Sequence, residues 1–149
     1  MAWGLYHLYV LSKQEAPVQC QVCRRPIPAG TAFSSVEDER EVRFCCPRCW
    51  ITSQRARDGK YRRPTATDYV SGKTVPAERC VYVEGGNISP CCAPMMTIGA
   101  DKMPAVQCFD RCSPSTIAFA DPQEALSFSK EHGGTIVSFQ TLVDEAKKP

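Results

Sequence analysis

The pattern of apolar and polar positions changes several times in the first half of the chain, and each change predicts a new element. Residues 31–36 and 41–45 alternate on either side of the charged stretch 37–40, which predicts a β-hairpin. A helix is predicted to follow from Pro47 and to end at Gly59. This part of the chain therefore combines a hairpin with a short helix.

The pattern in the rest of the chain predicts an α+β domain. Asp121 is suited to cap a helix whose first residue is Pro122, and Gly133 is suited to end it. Strands are predicted at residues 67–70, 77–83, 117–120 and 135–139, and a last helix at 141–147. Residues 88–115 hold several prolines and show little periodicity, which predicts an irregular loop region that builds a site.

The composition permits a real core, since 43% of the 149 residues are hydrophobic. We predict two units, residues 1–63 and 64–149, and their charges differ. The first has 11 Lys and Arg against 6 Asp and Glu, and the second has 7 against 10. No stretch reaches the roughly 20 apolar residues of a membrane-spanning helix. Residues 1–13 are predicted to form a helix that docks on the domain. The alternative is that they are the remnant of a trimmed membrane anchor that once tethered the chain.

The cysteines add a first candidate site. Cys20 and Cys23 form one CxxC pair, and paired thiolates at this spacing build tetrahedral zinc sites. The second pair is Cys49 with either Cys46, which we favour because it restores the CxxC spacing, or Cys45. A knuckle, a hairpin and a helix with cysteines in its first turn follow the order of a treble clef. The sequence predicts a small treble-clef-like zinc lobe, with a buried disulfide pair as the alternative.

A second candidate site lies in the irregular region 88–115. Thiolate and thioether groups select soft ions such as Cu(I), although methionines also fill cores and cysteines also pair in disulfides. The candidate ligands there are Cys91, Cys92, Cys108, Cys112 and Met95. Cys80 lies on an alternating strand and is predicted to be a core residue.

From about residue 67 onward the chain resembles the family of the nitrous-oxide-reductase accessory protein, a copper-binding periplasmic lipoprotein. The resemblance rests on residues 67–72, 78–84, 89–92, 114–119, 121–128, 132–134 and 137–139. Residues 44–49, Phe-Cys-Cys-Pro-Arg-Cys, also resemble an element of the metal-binding lobes that begin copper-exporting ATPases.

The resemblance implies that the zinc lobe is followed by a domain with the copper accessory protein fold. It further implies Cu(I) binding, delivery to a copper-dependent enzyme or transporter, and a periplasmic or membrane-associated location, with a cytoplasmic location as the alternative. Two family features differ here. Residues 17–20 are not a lipobox, and the family's Cys-Gly-Met is Cys23 followed by two arginines, so that ligand set does not carry over.

Two other functions compete with metal delivery. The accessory-protein fold is similar to part of alkylmercury lyase, and Cys108, Asp110 and one further thiol could mimic its catalytic set. No serine or cysteine nucleophile motif is recognisable, which disfavours an enzyme. The basic residues in and after the first helix are also compatible with nucleic-acid binding, but compensation of thiolate charge explains them better, so a nucleic-acid partner is not expected.

Overall fold

The computed structural model describes residues 18–92, 94–108 and 112–148, without the side chains of residues 94, 95, 107 and 108. Three α-helices and a short 3-10 helix lie in these ranges: α1 (Pro47–Ala56), α2 (Pro122–His132), α3 (Phe139–Lys147) and the 3-10 helix Ala77–Arg79. The strands are β1 (Phe33–Glu37), β2 (Arg40–Phe44), β3 (Arg62–Thr67), β4 (Thr74–Pro76), β5 (Val81–Glu84), β6 (Pro94–Ile98), β7 (Pro104–Cys108), β8 (Thr116–Phe119) and β9 (Thr135–Ser138).

The first sheet has the order β2-β1-β3-β4, and each neighbouring pair is antiparallel. Phe33 in β1 lies opposite Phe44 in β2 and Ala66 in β3, and all three side chains are buried. Strand β3 crosses the predicted boundary between residues 63 and 64. The two predicted units therefore share one sheet.

The second sheet has the order β8-β5-β9 and is covered by α2. All four residues of β8 are buried. Phe128 of α2 packs against Phe119 of β8 and against Tyr69, with ring centroids 5.1 and 5.5 Å apart. The Asp121 carboxylate caps α2 by accepting a hydrogen bond from the Gln123 amide at 2.8 Å, as the sequence predicts.

Helix α1 is held between the first sheet and α3. Its Trp50 ring lies 5.2 Å from Phe33 and 5.6 Å from Phe139, measured between centroids. The Trp50 indole also donates a hydrogen bond to Ser35 Oγ at 3.1 Å. Leu142 of α3 is fully buried in the same core, so α1 has a fixed position against both halves of the chain.

The α+β class is confirmed, but three local predictions were wrong. The strand predicted at 67–70 ends at Thr67, because the Asp68 carboxylate accepts hydrogen bonds from Ser71 and turns the chain. The strand predicted at 77–83 is interrupted by the 3-10 helix. The region 88–115 is not irregular throughout, since β6 and β7 form a hairpin there. Within the described part of the chain, no helix is long and apolar enough to cross a membrane.

Candidate metal centre

Seven buried cysteines lie together between the first sheet, α1 and the loops that carry residues 91 and 112. Two groups of four have all their sulfur atoms within 4.8 Å of one another. We call them tetrad A, which is Cys20, Cys23, Cys45 and Cys49, and tetrad B, which is Cys45, Cys46, Cys91 and Cys112. Cys45 belongs to both. We refer to the seven residues together as the thiol cluster.

The first two thiols are positioned by a tight knuckle. The Cys20 amide donates to the Arg25 carbonyl at 2.9 Å, and the Arg24 amide donates to the Cys20 carbonyl at 3.0 Å. The Gln21 amide reaches across to the Arg43 carbonyl in β2 at 3.0 Å. These main-chain bonds fix the knuckle against β2, the strand that leads into Cys45. The backbone that carries Cys20 and Cys23 therefore lies next to the backbone that leads to Cys45 and Cys49.

The next three thiols come from the junction of β2 and α1. Cys45 follows β2 directly, Cys46 is the N-cap of α1, and Cys49 lies in its first turn. Pro47 occupies the first helical position, which favours the helix start. That turn contains no acidic residue, so the partial positive charge at the start of α1 is available to thiolates.

The last two thiols come from loops of the second half of the chain. The Arg25 guanidinium donates a hydrogen bond to the Cys91 carbonyl, which ties the knuckle to this loop. The Cys91 thiol and the Thr31 hydroxyl both donate to the Cys45 carbonyl, at 3.8 and 2.9 Å. A cavity of about 10 Å³, the size of one water molecule, lies beside Cys46, Cys91 and Cys112.

The sulfur separations match a tetrahedral site. Cys45 Sγ lies 3.5 Å from the sulfurs of Cys23, Cys49 and Cys112, and 3.8 Å from that of Cys46. Zinc–sulfur bonds of about 2.3 Å in a tetrahedron place neighbouring sulfurs about 3.8 Å apart. Little movement is therefore needed for either tetrad to enclose an ion of this size.

The thiols also shift one another's acidity. Hydrogen bonding with Cys112 raises the pKa of Cys45, Cys49 and Cys91 above its ordinary value, and burial acts in the same direction. The pKa of Cys112 is lowered in turn, chiefly by its hydrogen bond with Cys45. A thiolate on Cys112 is thus stabilised by neighbouring thiols that keep their protons. Binding of a metal ion would have to displace those protons.

The structure distributes the candidate residues differently from the sequence prediction. Cys45, and not the favoured Cys46, lies with Cys20, Cys23 and Cys49, because Cys46 is turned towards Cys91 and Cys112 as the cap of α1.

Of the five residues of the predicted second site, the structure describes the side chains of Cys91, Cys92 and Cys112. Cys91 and Cys112 join the thiol cluster, whereas Cys92 is disulfide-bonded and so has no thiolate for an ion. The side chains of Cys108 and Met95, and Asp110 of the lyase hypothesis, lie outside the described residues. Cys80 is buried in the core apart from both tetrads. Sequence spacing gave no indication that the two candidate sites would meet.

The basic residues of α1 take part in contacts within the chain. Arg48, which was expected to compensate thiolate charge, forms ion pairs with Glu84 and with Glu145, the latter at 3.0 Å. Arg55 donates to the Glu145 main-chain carbonyl from two nitrogens, at 3.1 and 2.7 Å. These residues join α1 to the second half of the molecule, which leaves less of the basic face for a nucleic acid.

The comparisons with known proteins identify a likeness of fold. The crystal structure of the copper chaperone NosL from Shewanella denitrificans is similar to this chain, with a TM-score of 0.59 over 85% of this chain and 90% of that chain. The two sequences are 14% identical, so the likeness concerns the fold alone. No protein-family model matches this chain, and no curated protein matches it. The thiol cluster, together with this fold, supports a metal-binding protein.

Proposed function

We propose that this protein binds thiophilic metal ions through its thiol cluster. In this proposal tetrad A holds a structural zinc ion, and tetrad B takes a soft ion such as Cu(I) for delivery to a copper-dependent enzyme or transporter. The observation that carries the proposal is the convergence of seven buried cysteine sulfurs at separations suited to tetrahedral coordination.

The assignment of zinc to tetrad A rests on the elements that carry its four cysteines. Its thiols come from a knuckle, the end of β2 and the first turn of α1, and all four are buried. Four sulfur ligands leave no open coordination position, as in zinc sites that stabilise a fold. A zinc ion here would fasten the knuckle to the first sheet.

The assignment of a soft ion to tetrad B rests on its ligands and on the likeness of fold. Thiolates select Cu(I) and zinc over harder ions. The small cavity adjoins three of the four thiols, Cys46, Cys91 and Cys112, so unfilled space lies beside this group. The structural neighbour is a copper chaperone, which is the reason for choosing Cu(I) and transfer to a partner.

Metal analysis of variants tests the zinc assignment. Cys23→Ser should lower the zinc content by about one ion per chain, because Cys23 belongs to tetrad A alone. Cys80→Ser is the matched control, since Cys80 is a buried free thiol outside both tetrads and its substitution should leave the content unchanged. Full zinc content in Cys23→Ser would contradict the assignment.

A competition titration tests the copper assignment. Reduced zinc-loaded protein should take Cu(I) from a chromophoric Cu(I) chelator, and Cys91→Ser should weaken this binding while zinc at tetrad A remains. If the wild-type protein leaves all Cu(I) with the chelator, or if Cu(I) simply displaces the zinc of tetrad A, the delivery role is excluded.

A further inference from the structure

The two tetrads are not separate sites, since they contain seven sulfur atoms rather than eight. Cys45 Sγ lies 3.5 Å from the sulfurs of Cys23 and Cys49, which are in tetrad A, and 3.5 Å from that of Cys112, which is in tetrad B. Cys49 and Cys112, one from each tetrad, are also 3.5 Å apart. The two tetrads therefore share the Cys45 sulfur and are also in contact through the sulfurs of Cys49 and Cys112.

We infer that the thiol cluster binds two thiophilic ions as one dinuclear centre, in which the Cys45 thiolate bridges both ions. This inference rests on the proposed metal binding and specifies its form. Two tetrahedral ions need eight sulfur contacts, and seven sulfurs supply them only when one sulfur is shared. Cys45 is the sulfur that already lies within reach of both sets.

The surroundings of Cys45 suit a bridging ligand. Cys45 is 1% exposed, so its thiolate has no access to water that would compete with two metal bonds. Its carbonyl accepts hydrogen bonds from the Thr31 hydroxyl and the Cys91 thiol, which hold the backbone in place. A thiolate shared by two cations also spreads its charge over both. This lowers the cost of packing seven sulfurs into a buried volume.

A shared thiolate makes the two ions interdependent. Because both ions would bind the Cys45 sulfur, occupancy of one tetrad should change the affinity of the other. Loss of the ion from tetrad B leaves Cys45 still bound to the first ion, so the cluster can exchange one ion without dismantling the other site.

Cadmium-113 NMR of the full chain tests the inference, with cadmium as a probe that shares the tetrathiolate geometry of zinc. Reduced protein loaded with ¹¹³Cd should bind two ions per chain and give two resonances, each split by coupling through the shared sulfur. Cys91→Ser, which removes a ligand of tetrad B alone, should retain one ion with an unsplit resonance. Cys45→Ser should lower the affinity for both ions.

Each outcome decides between the two proposals. Two ions with unsplit resonances, or a single ion per wild-type chain, would overturn the dinuclear centre and leave metal binding intact. Retention of both ions with full coupling in Cys45→Ser would assign the bridge to another sulfur, such as Cys49, and would also overturn the inference. Absence of any bound cadmium would overturn the proposed function itself.

Discussion

The ion-pair network around Arg48 gives the sharpest prediction about stability. Arg48 lies in the first turn of α1, between Cys46 and Cys49. Its guanidinium forms ion pairs with Glu84 at the end of β5 and with Glu145 in α3. The side chain of Arg48 is 10% exposed. The substitution Arg48→Met keeps a similar apolar stem, removes the charge, and so isolates the contribution of the network.

The loss of unfolding free energy expected for Arg48→Met lies between the losses expected for a surface ion pair and for a fully buried ion pair. Surface pairs contribute about 0–1 kcal/mol, whereas breaking a buried pair costs about 3–5 kcal/mol. Glu84 and Glu145 are 22% and 27% exposed, so water can partly solvate them once Arg48 is gone. The Nε atom of Arg48 is buried without a hydrogen-bond partner among the described residues, which reduces the gain from the wild-type residue. We expect a loss of about 2–3 kcal/mol in unfolding free energy.

Urea unfolding of the metal-loaded protein measures this loss through the transition midpoint, with the slope unchanged. Arg55→Met is the matched control, because it removes the same charge from the same helix. Arg55 is exposed, and its one side-chain partner among the described residues is the Glu145 main-chain carbonyl, so its loss should cost about 1 kcal/mol or less. Equal destabilisation by the two substitutions would refute the argument that the partly buried network joins α1 to the second half.

Three further predictions address the core, the loop at Cys45 and the acidity of the cluster. Leu142→Ala should cost about 3 kcal/mol in urea unfolding, because Leu142 is fully buried. Thr31→Val should cost about 1–2 kcal/mol in the same assay, because it removes the hydrogen bond to the Cys45 carbonyl. Zinc affinity, measured by chelator competition, should fall as pH falls, by about tenfold per pH unit for each proton displaced. The raised pKa of Cys45 and Cys49, both in tetrad A, sets this sign, since their protons must leave on binding. An affinity independent of pH would contradict it.

The elements that the sequence predicted well are those with local determinants. The hairpin of β1 and β2 follows from alternation around a charged turn, and α2 follows from its Asp121 cap. The hairpin of β6 and β7 was missed because Ile98 and Val106 are 79% and 70% exposed. Such strands pair through their main chains and bury too little to leave an alternating pattern.

The candidate site was only partly predictable for a similar reason. Cys20 and Cys23 lie in one knuckle, which neighbouring residues build, and such local geometry is what a CxxC spacing can predict. The meeting of Cys91 and Cys112 with Cys45 depends on tertiary contacts between loops far apart in sequence. No local spacing records such contacts, and so two independent sites were predicted. Their roles as metal ligands stay predictions.

Metal analysis combined with thiol titration tests the central claim most directly. Protein purified without oxygen in reducing buffer should retain zinc or copper at one to two ions per chain, as the two tetrads allow. The thiols of the cluster should react with a thiol reagent only after a strong chelator has removed the metal. A folded chain that contains no metal, and whose thiol reactivity is unaffected by zinc or Cu(I), would contradict the account.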